Sequence, residues 1–318
     1  MFTQTTRLAP SPTGALHLGN ARTFLVNWLL ARQNDWKIIL RIEDIDGPRI
    51  KRHADAALID DLRWLGIDWD DGPIYQTDRM TAYAAALNQL IENGSVYPCT
   101  CTRKEIELAA SAPHSEDGAT VYPGTCRGRY QSVEEATQLS GRAPALRFAI
   151  PAGEVSFLDA FRGEQTYSPA KDLGDFVVAK ADGTPAYQLA VVVDDLAMNV
   201  TQVIRGDDLI DSTPRQMLIF RALGFENQIP TYTHLPLVVG TDGRRLAKRH
   251  GDTRLSTYRN AGISSSRLLA LLAGWCGVTR ESGGLTVSDL LDSFRLEDVP
   301  REPIVFTEPD HRKLMSPE

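Results

Sequence analysis

Residues 7–20, Arg-Leu-Ala-Pro-Ser-Pro-Thr-Gly-Ala-Leu-His-Leu-Gly-Asn, set a cation and several hydrogen-bond donors around a turn broken by proline and glycine. The turn joins strand-like residues to the apolar-periodic run 21–32. In a parallel α/β sheet, ligands gather at such junctions, because free backbone N–H groups and the positive end of a helix face the crevice there. A phosphate suits that place: His17 and Asn20 can donate to it, Asn20 read as the helix N-cap, and Gly19 leaves room between them. A second apolar run, 36–42, ends in Glu43, Asp44 and Asp46, so that carboxylates able to hold an ammonium stand at a strand's carboxyl end. Arg205 closes another strand-like run, and five basic side chains, His250 included, crowd into residues 244–250. Each group read alone is equally a solvated loop, which is what most charge runs are.

Cys99 and Cys101 form a Cys-x-Cys pair, and Cys126 follows after 24 residues. Three thiolates suit a tetrahedral zinc site with one position left over. His114 and Tyr122 compete for it: histidine is the commoner fourth ligand, and tyrosine stands four residues before Cys126. Cys276 lies far off, so the four cysteines make a poor disulfide framework, and reduced thiols are expected.

Positioning these groups requires strands that end together. Residues 7–8 and 36–42 read as strands around a helix over 21–32, a βαβ unit with a right-handed crossover. Helices are predicted over 53–65 and 77–92. Strands follow at 145–150 and 176–180, and Asp182-Gly183 signals a hairpin into the apolar run 186–195. That run, bounded by Tyr187 and by Asp194-Asp195, fits either a central strand or a helix buried on both sides. Ser212-Thr213-Pro214 starts a helix reaching 223, and 263–275 and 288–294 read as two more.

The 318 residues, 42% apolar, can bury one large core or two modest ones. No run of 18 apolar residues occurs and residues 1–7 lack a signal-peptide pattern, so a cytoplasmic protein outside the membrane is expected. The net charge of −7 argues against a nucleic-acid partner until it is located. Residues 281–318 hold nine acidic and four basic side chains, which leaves the rest of the chain nearly balanced.

The first stretch, Arg7-x-Ala9-Pro10-Ser11-Pro12-Thr13-Gly14 with His17-Leu18-Gly19-Asn20, resembles the HIGH signature of class I aminoacyl-tRNA synthetases, in the form used by glutamyl- and glutaminyl-tRNA synthetases. Arg41-Ile42-Glu43-Asp44 resembles another motif of that family, and Arg245-Leu246-Ala247-Lys248-Arg249 loosely resembles its mobile KMSKS loop. The resemblance implies a Rossmann-like parallel-sheet α/β catalytic domain over 1–98 and 176–250. It also implies an inserted zinc-binding, acceptor-type subdomain over 99–175 and a short helical segment over 251–318 without an anticodon-binding domain. It further implies ATP with Mg²⁺ bound by His17, Gly19, Asn20, Arg245 and Lys248, with His17, Asn20 and Lys248 catalytic, and one structural zinc on Cys99, Cys101, Tyr122 and Cys126. Many glutamyl-tRNA synthetases carry a histidine two residues past the third cysteine, where this chain has Gly128.

An acidic amino acid presents two carboxylates and one ammonium, which the resemblance answers with Arg7, Arg205 and Glu43, aided by Ala9, Ser11 and Tyr187. That implies L-glutamate rather than glutamine. Tyr122 before Cys126 and the run 209–216 resemble the glutamyl-queuosine tRNA(Asp) synthetase branch, which attaches glutamate to queuosine in the anticodon loop. The expected partners are therefore glutamate, ATP and queuosine-bearing tRNA(Asp), and the expected state is a monomer. Two alternatives stay open: a truncated glutamyl-tRNA synthetase charging the 3′ end of tRNA(Glu), and a non-catalytic paralogue that binds nucleotide or tRNA.

Overall fold

The computed structural model describes residues 2–45, 47, 50–51, 53–110, 121–244, 246, 252–279 and 283–316. The chain opens with β1 (Thr5–Leu8), α1 (Leu18–Gln33), β2 (Lys37–Ile42), α2 (Ala54–Trp64) and β3 (Asp71–Tyr75), and the three strands form a parallel sheet in the order β1-β2-β3. Helix α1 starts at Leu18, two residues before the predicted Asn20 cap. The reason lies outside the helix: Leu18 N donates to Thr253 O at 3.0 Å and Ala21 N to His17 O at 3.0 Å, closing the first turn early. Asn27 of α1 then takes hold of β1, donating to Arg7 O at 3.0 Å and accepting from Thr6 Oγ1 at 2.9 Å.

Next come α3 (Met80–Glu92), β4 (Val96–Cys99), α4 (Arg103–Ala110), α5 (Val133–Ser140) and β5 (Ala145–Phe148). They are followed by β6 (Val155–Asp159), β7 (Gly163–Tyr167), the single turn α6 (Pro169–Asp172) and β8 (Phe176–Ala179). Strands β4, β5 and β8 make an antiparallel sheet. The β6–β7 ribbon instead joins β9 (Gln202–Gly206) and β10 (Thr231–Leu235) in a sheet ordered β7-β6-β10-β9. The amino ends of β1 and β9 lie together, Thr201 N donating to Thr5 O at 2.9 Å, and Arg7 Nη1 reaches Ile204 O at 3.4 Å. Both strands therefore run the same way and end at one crevice.

The run after Asp182-Gly183 is a helix, α7 (Tyr187–Ala197), and the expected hairpin reduces to one bridge between Ala179 and Pro185. Residues Leu189 to Asp195 are all buried, because α7 packs against α3, β8 and α8 (Ser212–Ala222), and a helix covered on every side needs a continuous apolar run.

The remaining elements are β11 (Val238–Val239), α9 (Leu255–Asn260), α10 (Ser265–Gly274), β12 (Ile304–Val305) and α11 (Glu308–Met315). The helix expected over 288–294 is only a short turn at Ser288–Leu290, with Leu290 and Phe294 both buried in the α1 core. The C-terminal segment is not wholly helical, because β12 pairs in parallel with β11. Buried Arg22 of α1 fastens this region, donating to Pro236 O at 2.7 Å and Trp275 O at 3.3 Å. Among the described residues no helix is long and apolar enough to cross a membrane.

Gly277 sits at φ +82°, where a Cβ would stand 2.4 Å from Asp298 O, whereas Gly284, at φ +69°, faces open space. Gly277→Ala should therefore cost more than the ~1 kcal/mol of backbone strain expected for Gly284→Ala. Urea midpoints of the two variants test this, equal losses contradicting it.

Candidate active site

A cavity of ≈ 600 Å³ opens between the carboxyl ends of β1 and β9. Arg7, Ala9, Ser11, His17, Gly19, Asn20, Glu43, Tyr187 and Arg205 all line it, which brings together every expected amino-acid and nucleotide contact that the structure describes. Arg245 and Lys248 lie outside the described residues, as do Asp46 and His114. The wall also includes Asp208, Leu237 and Val238, which the sequence did not single out although Asp208 stands three residues after Arg205, and Leu209 from the start of the 209–216 run.

The first loop is held from two sides. Glu43 N donates to Pro10 O at 3.0 Å, and Ser11 Oγ donates to Glu43 O at 3.0 Å, tying the loop to the end of β2. His17 forms an antiparallel bridge with Arg254, and Leu255 N donates to Leu16 O at 2.9 Å. A Cβ on Gly19 would rest 3.4 Å from the His17 imidazole, so glycine there keeps the ring's position open.

Beneath the cavity lies a buried charge lattice. Arg41, fully buried, donates through Nη1 to Asp195 Oδ1 at 2.6 Å and through Nη2 to Glu43 Oε1 at 3.1 Å. The same Asp195 oxygen is 3.6 Å from Nε of Arg7. Asp194 beside it accepts from Gln76 Nε2 at 2.7 Å, Arg79 Nε at 2.6 Å and Tyr83 Oη at 2.9 Å. Burial alone would pull the Arg41 pKa down, but Asp195, Glu43 and Asp194 outweigh it and hold it above the ordinary arginine value. For Arg7 burial wins, lowering its pKa against the pull of Asp195. Burial likewise raises the Glu43 carboxyl, opposed by Arg41 and Arg7. The site thus presents a carboxylate whose own counter-ion is already shared, facing a partly compensated guanidinium.

Arg205 is held differently. It donates to His234 Nε2 at 3.0 Å, Gln216 Oε1 at 2.9 Å and Thr213 Oγ1 at 2.8 Å, and stacks over Tyr232 at 5.3 Å. Among the described residues no carboxylate pairs with it within 4.0 Å, so its acceptors there are neutral.

Away from the cavity, the sulfurs of Cys99, Cys101 and Cys126 lie within 4.8 Å of one another. Cys101 and Cys126 are 3.4 Å apart, and Tyr122 Oη is 3.3 Å from Cys99 Sγ and 3.6 Å from Cys101 Sγ. Tetrahedral zinc on such ligands needs S···S near ~3.8 Å and S···O near ~3.5 Å. The three distances given lie within a few tenths of an ångström of these values, so three thiols and a phenol oxygen are a donor set that fits the metal. Arg147 adds a positive charge, donating to Cys99 Sγ at 3.3 Å and covering the Tyr122 ring at 3.8 Å.

Residues 4–303 match the family model described as "tRNA synthetases class I (E and Q), catalytic domain". The chain is 47% identical over 307 residues to a glutamyl-Q tRNA(Asp) synthetase of Symbiobacterium thermophilum, spanning 94% of each protein. It is 40% identical over 303 residues to a glutamate–tRNA ligase of Citrifermentans bemidjiense, spanning 94% of this chain and 63% of the ligase. Among solved structures, a glutamate tRNA ligase from Elizabethkingia meningosepticum in complex with its amino acid superposes with a TM-score of 0.81. That pair shares 26% identity and covers 98% of this chain and 68% of the other.

Asp195 is the charge that keeps Arg7 and Arg41 from repelling each other. Asp195→Asn should lower the unfolding free energy by roughly 3–5 kcal/mol, the usual cost of orphaning a buried charge. Urea unfolding at neutral pH measures it, and an unchanged midpoint would speak against the lattice.

Proposed function

Because the chain belongs to the catalytic-domain family of class I glutamyl- and glutaminyl-tRNA synthetases, we propose that it activates L-glutamate with ATP and passes the glutamyl group to queuosine in the anticodon loop of tRNA(Asp). The observation that carries this is one cavity lined by Arg7, Glu43 and Arg205, two cations and an anion facing inward for a ligand with two carboxylates and an ammonium. In this reading Glu43 takes the ammonium and the two arginines take the carboxylates, with Tyr187, Ser11 and the Ala9 backbone completing the pocket. Glutamine would leave a buried guanidinium short of its partner, a loss of about 1–3 kcal/mol.

ATP lies over the start of α1, its phosphates against Gly19, Asn20 and His17. An α-carboxylate oxygen of glutamate attacks the α-phosphorus in line, forming glutamyl-adenylate as the bond to pyrophosphate breaks. Lys248, aided by Arg245, neutralises the charge growing on the departing pyrophosphate, and Mg²⁺ supplies further charge neutralisation when bound. No residue becomes a covalent nucleophile, because position and charge supply the acceleration. A hydroxyl of the acceptor then attacks the acyl carbon and AMP leaves. Queuosine is favoured over a tRNA 3′ end because the relatives named for it are 43–48% identical, against 39–41% for those named glutamate–tRNA ligases.

Cys99, Cys101, Tyr122 and Cys126 are proposed to hold one structural zinc, which cross-links the loop after β4 to residues 121–126. Residues 1–98 and 176–250 are read as the catalytic body, 99–175 as the inserted region, with the β6–β7 ribbon lying on the catalytic side, and 251–318 as the C-terminal segment. The protein is read as cytoplasmic and monomeric.

Glutamylation of tRNA(Asp) with queuosine, tRNA(Asp) without it and tRNA(Glu) separates the possibilities. Label is expected only on the first; label on the 3′ end of tRNA(Glu) would favour the ordinary ligase, and no glutamate-dependent ATP–pyrophosphate exchange the non-catalytic paralogue. Lys248→Ala should lower the exchange rate constant far more than glutamate affinity. Metal analysis of freshly purified protein should find one zinc per chain, lost in Cys126→Ala.

A further inference from the structure

Behind the pocket, Asp159 at the end of β6, His234 on β10 and Arg205 on β9 stand in a row with almost no solvent access. His234 Nδ1 is 2.6 Å from Asp159 Oδ2, and its Nε2 is 3.0 Å from Arg205 Nε. An arginine can only donate, so Nε2 must offer a lone pair, and the single ring proton must sit on Nδ1, pointing at the carboxylate. Burial lowers the imidazole pKa below its ordinary value, Asp159 opposing, which agrees with a neutral ring. We propose that Asp159 and His234 are positioning residues for the synthetase reaction, fixing one histidine tautomer so that Arg205 is aimed at a carboxylate of the amino acid. The proposal rests on the reading of Arg205 as a substrate contact.

The geometry makes Asp159 unusually specific. Its Oδ1 is already claimed by the backbone N–H groups of Phe161 at 3.0 Å, Arg162 at 2.7 Å and His234 at 3.2 Å. In Asp159→Asn those three donors keep the carbonyl oxygen, so the new NH₂ must face His234 Nδ1. The ring would then accept there and carry its proton on Nε2, against the Arg205 Nε–H. A wrong tautomer from a geometrically silent Asp→Asn change is the failure known for the serine-protease triad. Gln216 and Thr213 hold the other two nitrogens of Arg205, so His234 completes a three-point hold on the guanidinium.

The test uses the full chain with isotope-labelled histidine. In the wild type at neutral pH, the His234 nitrogen signals should report a protonated Nδ1 and an unprotonated Nε2. Asp159→Asn should move the proton to Nε2 and raise the glutamate KM in ATP–pyrophosphate exchange by about tenfold or more, the loss expected for a charged hydrogen bond. The ATP KM should stay within about twofold. His234→Gln, whose carbonyl can replace the Nε2 acceptor, should stay near the wild-type glutamate KM, while His234→Asn, too short to reach Arg205, should match Asp159→Asn. Equal glutamate KM values for those two His234 variants, or a wild-type proton on Nε2, would overturn the proposal. Should the variants fail to fold, a wild-type proton on Nε2 would still overturn the proposal. A wild type without exchange activity but with the expected tautomer would instead remove the substrate reading and leave the dyad standing.

Discussion

Buried cations govern this molecule. Arg7, Arg22, Arg41 and Arg205 are all nearly or fully buried, and a desolvated guanidinium must find acceptors or destabilise the fold. The chain meets that requirement in two ways. Arg41 is surrounded by Asp194, Asp195 and Glu43. Arg205 receives only neutral acceptors, and Arg7 lies between these extremes. Compensation is thus graded across the site, from Arg41 with three carboxylates to Arg205 with neutral acceptors.

The backbone provides the place for this gradient. Two sheets meet at β1 and β9 without merging, so the strand ends diverge and leave a crevice at the point where ligands of open α/β sheets bind. Helix α7 carries Asp194 and Asp195 under it, and β6 brings Asp159 in from the far side. Elements distant in sequence thus supply its charges and acceptors, and these stand beside apolar lining residues such as Leu16, Leu58, Ile204 and Val238 from the core around α1.

Much of the site could be read before the fold. The loop 7–20, Glu43 and Arg205 stand in short runs whose composition already suggested anion and ammonium binding, and the family resemblance placed them in one pocket. Cys99, Cys101 and Cys126 were recognisable by spacing, the family resemblance added Tyr122, and the structure brings the Tyr122 hydroxyl to 3.3 Å from Cys99 Sγ and 3.6 Å from Cys101 Sγ. Local signals failed where packing overrode them. The run 186–195 could not declare itself helix or strand, since both bury such a sequence completely, and α1 began early because Thr253 supplied a distant acceptor for its first N–H.

The sequence by itself determined the parallel α/β class, the order of the strand-end motifs and the types of charge available to a ligand. Composition and short-range spacing control all three. Tertiary structure alone decided which charges neutralise each other and which stay free: Arg41 meets Asp195 across 154 positions, and Arg205 meets His234 across 29. Hydrogen bonds and ion pairs act over a few ångströms of space, a distance that separation along the chain does not encode. The protonation pattern of His234 is settled by the same short-range geometry, and no reading of residues 225–240 in isolation contains it.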